Sequence, residues 1–168
     1  MAIKTYFNEY HLAFIKWRKS KPIDTFDNRQ MRMVLHSDKV TISSNLNAEL
    51  INFYSIVKNW RIKWTLNPKF NSDLEGSINI LPLEEVLIGD VDLMPQEFPE
   101  LKNFTLLDYF YNEAAVGFYL DKPENGLYYF EFDGTTQKLN LDFKGYLEML
   151  KYTKGVAYWQ LAIIEPHK

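Results

Sequence analysis

The chain has 168 residues and no cysteine. That absence excludes a disulfide framework and a cysteine-ligated zinc site, and it is compatible with a reducing compartment. Long apolar runs are missing as well. No segment approaches the ~20 consecutive apolar residues of a membrane helix. Met1–Ser20 does not read as a secretory signal, because Lys4, Asn8, Glu9, His11 and Lys16 interrupt its apolar residues. The expectation is a cytoplasmic protein with no membrane partner. Histidine is scarce: His11, His36 and His167 lie far apart, at no His-x-x-x-His or His-x-x-Glu spacing. A phosphate loop, a dinucleotide glycine fingerprint and a Gly-x-Ser-x-Gly elbow are likewise missing. The sequence therefore offers no catalytic residues, no metal ligands and no cofactor site, and the chain is not expected to be an enzyme.

Positive charge is missing from one stretch. Residues 70–101 contain no Lys or Arg and eight acids, whereas residues 1–69 carry 12 Lys/Arg against 5 Asp/Glu. The whole chain nets −3. A single-sign region can steer a basic partner, although a sequence block of one sign does not by itself make a surface patch. Four of the acids, Asp90, Asp92, Glu97 and Glu100, fall between Ile88 and Asn103. That segment of about 16 residues, with Gly89, Pro95 and Pro99, reads as an unusually long loop. These four acids are the candidate partner-binding residues.

What is abundant is aromatic surface. The chain has 12 Phe, 11 Tyr and 4 Trp, 16% of its residues, a load that suits sheets and argues against disorder. Its length fits one domain, 1–168, with 1–43 an N-terminal helix and connection and 44–164 the core. Ile3, Tyr6, Phe7, Tyr10, Phe14 and Trp17 step by three or four, the apolar stripe of a helix that buries it in the core, and Pro22 ends it. Residues 23–44 read as a short hairpin or an irregular connection. Asn45–Asn59 reads as a second helix, with Leu46, Leu50, Phe53, Tyr54 and Val57 inward and Asn45 or Asn47 as cap. Arg61–Leu66 alternates as a half-buried strand.

Glu75–Leu87 is a strand that stops at Pro82 and turns at once into a short helix. Ile78 and Ile80 share a face, and Gly76 marks a bulge or a close backbone approach. Phe104–Phe110, Ala115–Asp121, Leu127–Phe132 and Gln137–Leu141 form an antiparallel meander, with turn signals at Gly126 and at Asp133-Gly134. Tyr128, Phe130 and Phe132 are expected to pack on the helices. Asp142 caps a helix with Phe143, Tyr146, Leu147 and Leu150 inward, Gly155 interrupts it, and Val156–Ile164 docks as a short helix or strand. Glu131 and Asp133 stand two apart on one strand face, a spacing open to a metal or acid–base pair, but a solvated face is the simpler reading. The acids around Tyr128 and Phe130 disfavour nucleic acid as a partner.

The order of these elements resembles the SUKH superfamily, the Syd and Knr-type cell-wall-regulator grouping. Leu46, Leu50, Phe53 and Tyr54 are similar to that family's first core helix, and Trp64 to the tryptophan of its next strand. Gly76 through Val86 is similar to its Gly-x-Ile-x-Ile-Leu-Pro-Leu-x-Glu-Val segment. The Phe143–Leu150 helix and the closing Gly155, Trp159 and Gln160 complete the likeness, which spans roughly 44–164. It departs at Asn47, where the family usually has proline, and around Asn59, where a glycine-rich turn is common. The resemblance implies an α+β domain with a bent, mostly antiparallel sheet of about four to six strands flanked by helices. It also implies a non-catalytic immunity protein that neutralises a cognate bacterial toxin, such as a nuclease, by direct binding. The alternative it leaves open is an intracellular regulatory or scaffold interaction domain. A monomer is expected, because no coiled-coil heptads or long bare apolar segment demand a partner.

Overall fold

The computed structural model describes residues 3–38, 40–42, 46–88, 98–110, 114–122 and 126–164. The fold is α+β: seven strands in the order β1 to β7, every pairing antiparallel, with helices packed on the sheet.

α1 (Ile3–Lys19) opens the chain. Tyr10 and Phe14 are buried and Trp17 packs against the core, as the stripe predicts. Lys16, Arg18 and Lys19 occupy its last turn, where cations suit the negative end of the helix dipole. The segment left open by the periodicity supplies a full edge strand, β1 (Phe26–Leu35), which raises the sheet to seven strands.

α2 (Ala48–Tyr54) is capped by Asn47, whose side chain accepts from the Leu50 N–H at 2.9 Å. The second helix therefore ends five residues before the expected Asn59. β2 (Val57–Leu66) begins directly after it, and Val57 and Asn59 pair with Leu35 and Val34 of β1. Val57 satisfies helical and strand spacing alike, since either buries it. The ladder to β1 decides, because tertiary pairing overrides a local pattern.

β3 (Glu75–Ile80) then pairs with β2, burying Ile78 and Ile80 against Ile62 and Trp60. Pro82 follows, and α3 (Leu83–Ile88) turns Val86 into the core. The meander is β4 (Phe104–Asp108), β5 (Ala114–Tyr119), β6 (Tyr128–Glu131) and β7 (Thr136–Lys138). Asp142 caps α4 (Phe143–Thr153), accepting from the Gly145 N–H at 2.7 Å, and Phe143, Tyr146, Leu147 and Leu150 are all buried. α5 (Leu161–Ile164) ends the described chain.

The main core lies between α1, α2 and α4 and one face of the sheet. Phe14 meets Trp60 edge-on, with ring centroids 5.7 Å apart, and Trp17 does the same with Trp64 at 5.3 Å. A smaller core lies on the opposite face of β4–β6, where Phe104, Leu106, Ala115 and Phe130 are covered by Leu101 and Phe98. This corrects one expectation. Tyr128, Phe130 and Phe132 belong to that second cluster, and it is Tyr129 that faces the helices. The Tyr129 face reads as solvated because Glu131 and Asp133 follow on it. Those acids fall at the strand end and turn, while Leu127 and Tyr129 on the same face are buried under the helices. Leu101 sits in a single 3-10 turn, Pro99–Leu101, that ties down the end of the long acidic segment.

Gly76 is the close approach its position predicts. A Cβ there would lie 2.4–2.7 Å from three atoms of the Trp64 indole. The indole N–H in turn donates to the Lys154 carbonyl at 2.8 Å, and Ser77 N–H bonds the Gly155 carbonyl at 2.8 Å. The C-terminal segment is thereby bridged to the outer edge of β3, with Val156 opposite Gly76. Gly76→Ala is expected to push the indole off this seat and lower stability by about 1–3 kcal/mol, the usual cost of overpacking a core. Urea unfolding followed by tryptophan fluorescence reads the loss, and an unchanged midpoint would show that the ring has room to move.

Candidate functional site

The acids singled out by charge resolve only in part. Asp90, Asp92 and Glu97 lie outside the described residues, and Glu100 is placed by its backbone alone, in the Pro99–Leu101 turn. Glu131 and Asp133 end β6 and enter the turn to β7. Asp133 accepts from the Thr135 N–H at 2.8 Å, which holds its carboxyl below the ordinary range. That carboxylate is a turn-former. His11 is partly buried, and burial pushes its pKa down. His36 follows β1 with its N–H on the Ile56 carbonyl, and His167 lies outside the described residues. A shallow groove of about 600 Å³ is lined in part by Asp27, Asp73 and Glu75. Among the described residues no three His, Asp or Glu converge as a metal-ligand set.

The structure assembles a different set around the join between β3 and β4. These strands share one residue pair, Ile80 with Asp108. The join is completed by Leu81 N–H on the Leu107 carbonyl at 2.9 Å and Tyr109 N–H on the Asn79 carbonyl at 3.1 Å. Asp108 is fully buried. Its Oδ1 accepts from the Asn79 N–H at 2.7 Å, doing the work of a backbone carbonyl in the ladder. Its Oδ2 accepts from the Tyr146 hydroxyl at 2.8 Å, which ties α4 to the seam. Loss of water pushes the Asp108 pKa up to about 7, and the Asn79 and Tyr146 hydrogen bonds restrain the rise. The same burial, with the Asp108 charge beside it, raises Tyr146 well above the tyrosine range.

Asn79 carries the network outward. Its side-chain Nδ2 donates to the Tyr109 carbonyl at 2.9 Å, and its Oδ1 accepts from Arg61 Nε at 2.9 Å. Arg61 stands on the face of β1–β3 turned away from the helices. The register sets Arg32 of β1 directly opposite Arg61 and Gln30 opposite Lys63. Both arginines and Lys63 are exposed. Among the described residues no carboxylate pairs with any of the three. Gln30, Arg32, Asn59, Arg61, Asn79 and Glu85 contribute to a groove of about 260 Å³ that runs from this face to the start of α3. The groove mixes these polar groups with Ile80 and Pro82 and is smaller than the usual range of small-molecule sites, so its form suits a macromolecular contact.

No family model, curated protein or solved structure matches the chain.

Sequence reasoning passed over both the seam and the basic face. The signal for the first was a lone Asp in the run Phe104–Phe110, since a carboxylate amid apolar residues is buried only with partners. The second had no local signal, because Arg32 and Arg61 become neighbours only through the β1–β2 register.

The seam has a pH signature. A carboxyl with a folded pKa of about 7 against 3.8 in the open chain contributes stability that is whole below 3.8 and is lost as pH rises through 7. At about 1.4 kcal/mol per unit, the loss is on the order of a few kcal/mol. His11, lowered in the fold, acts in the opposite sense, losing stability as pH falls. The comparison is therefore of wild type with Asp108→Asn. Their difference in unfolding free energy is expected to change between pH 4 and 7 and to be flat above about pH 8. A difference constant across that range would mean that Asp108 is ionised in the fold throughout.

Proposed function

We propose that this chain is a non-catalytic, protein-binding domain of SUKH type that neutralises a cognate bacterial toxin by direct binding. The observation that carries the binding reading is the face of β1–β3 left uncovered by the helices. Across it Gln30, Arg32, Asn59, Arg61 and Lys63 stand in register, on a rigid three-strand support. Sheet faces turned to solvent are common, and this one differs by placing Arg32 and Arg61 side by side with no ion pair to a carboxylate among the described residues. The most perturbed carboxylate, Asp108, has both oxygens engaged in holding the sheet together, and neither groove described above is lined by it.

The antiparallel α+β architecture agrees with what the SUKH resemblance implies for the fold. The toxin-inhibitor role rests on that resemblance, and fold alone does not assign function. An inhibitor of this kind meets its toxin in the cytoplasm, with which a cysteine-free chain is compatible. No helix among the described residues is long and apolar enough to cross a membrane.

Tagged protein expressed in its native cell is expected to elute with one partner at one-to-one stoichiometry. That partner should carry a toxin domain, and co-expression should abolish its killing. A cellular enzyme or scaffold as the stoichiometric partner would move the reading to a regulatory domain. With the toxin in hand, replacing Asp90, Asp92, Glu97 and Glu100 by Asn and Gln should slow association and flatten its salt dependence if the toxin is basic there. Unchanged kinetics would remove that segment from the interface.

A further inference from the structure

We infer that the uncovered face of β1–β3 is a docking surface for an acidic segment of a partner protein, gripped by Arg32 and Arg61 with Lys63 beside them. This rests on the protein-binding reading above and adds to it the surface and the chemistry of what it holds.

Like charges directly opposite on neighbouring strands destabilise a sheet, and Arg32 and Arg61 are such a pair. Nothing in the fold requires arginine at either position, since both side chains are exposed and neither touches the core. Lys63 extends the positive row one pair further along β2, opposite Gln30 and Ser77. Among the described residues the carboxylates near the face are peripheral: Glu75 ends the β3 row opposite Thr65, with Asp27 and Asp73 in the groove beside it, and Glu85 stands across the other groove on α3.

Arg61 is also aimed. Its Nε is held by Asn79 Oδ1, and Asn79 is itself held by the Tyr109 carbonyl and the buried Asp108 carboxylate. The guanidinium is thus oriented from behind, while its two Nη groups have no partner among the described residues. An oriented guanidinium next to a second one is suited to bidentate recognition of a carboxylate. Gln30 and Asn59 beside them offer amide groups for the partner's backbone.

Nucleic acid is the other polyanion to weigh. The face as described presents no aromatic ring on which a base would stack, and Glu75 and Glu85 would repel a phosphate backbone running along the row. The chain as a whole nets −3, which opposes the sequence-independent attraction that such binding depends on. An acidic peptide needs only the central cluster.

The experiment measures fluorescence anisotropy of a labelled oligoglutamate peptide and of an oligodeoxythymidylate of matched length against the full chain. The variants are Arg32→Glu, Arg32→Glu with Arg61→Glu, and a control with the same change in net charge, Lys102→Glu with Lys122→Glu. The peptide is expected to bind wild type and control alike, to weaken with salt, and to bind the double variant at least about tenfold more weakly.

Arg32→Glu alone separates binding from folding. It sets a carboxylate opposite Arg61, so the melting temperature should hold or rise while peptide binding falls. A parallel fall in both would overturn the inference. So would equal losses in the Lys102/Lys122 control, no peptide binding, or tighter binding of the oligonucleotide. Failure here is distinct from failure of the protein-binding reading. If no stoichiometric partner co-purifies, that reading falls. If a partner does and the Arg32/Arg61 double variant holds it at full affinity, the reading stands and this surface is wrong.

Discussion

The buried carboxylate of Asp108 is the group on which the rest of the structure depends. The sheet consists of two antiparallel sets, β1–β3 and β4–β7, and their strands meet in a single residue pair. Two backbone bonds flank that pair, and the Asp108 side chain supplies a third acceptor to the ladder at Asn79. Burying a carboxylate costs several kcal/mol unless its oxygens are hydrogen-bonded. Here both are, one to β3 and one to Tyr146 of α4. One residue therefore joins the two strand sets and sets the helix on them. Removing its partners would leave a buried polar group unsatisfied and its carboxyl shifted further toward the neutral form.

β3 is short of partners because it changes them along its length. Its outer edge meets β4 at Ile80, but its first half meets the segment 155–157 instead. Gly76 has no side chain, the Trp64 indole fills the space a Cβ would take there, and the indole N–H reaches the Lys154 carbonyl beside that segment. Lys154 and Gly155 both adopt left-handed backbone, which turns the chain from the end of α4 back to the sheet. The C-terminal elements are thus held to the sheet by a tryptophan, a missing Cβ and a few backbone bonds.

The seam and the exposed face are mechanically one object. Asn79 is bonded to the buried carboxylate on one side and to Arg61 on the other. A guanidinium that would otherwise sample many rotamers is given one orientation by a residue anchored in the core. Ordering a long side chain before binding lowers the entropy lost when a partner arrives. That is the physical link between a structural carboxylate and a surface suited to recognition.

Sequence by itself determined most of the elements. The aromatic stripe of α1, the Asp142 cap, the Pro82 break and the four meander strands follow from short-range spacing, propensity and turn chemistry. The choice of Asn47 over Asn45 as cap and of close approach over bulge at Gly76 came from the structure. It did not determine where α2 gives way to β2, because Val57 is buried in either state. Nor did it determine which face of β6 meets the helices, because the acids Glu131 and Asp133 on the helix-facing side sit at the strand end and mask the buried Leu127 and Tyr129 before them. The seam at Asp108 and the Arg32–Arg61 pair were decided only by tertiary structure. Each brings together residues about 30 positions apart, through strand pairing and register. Register is set by how many apolar side chains reach the core at once, a property of the whole sheet that no local window contains.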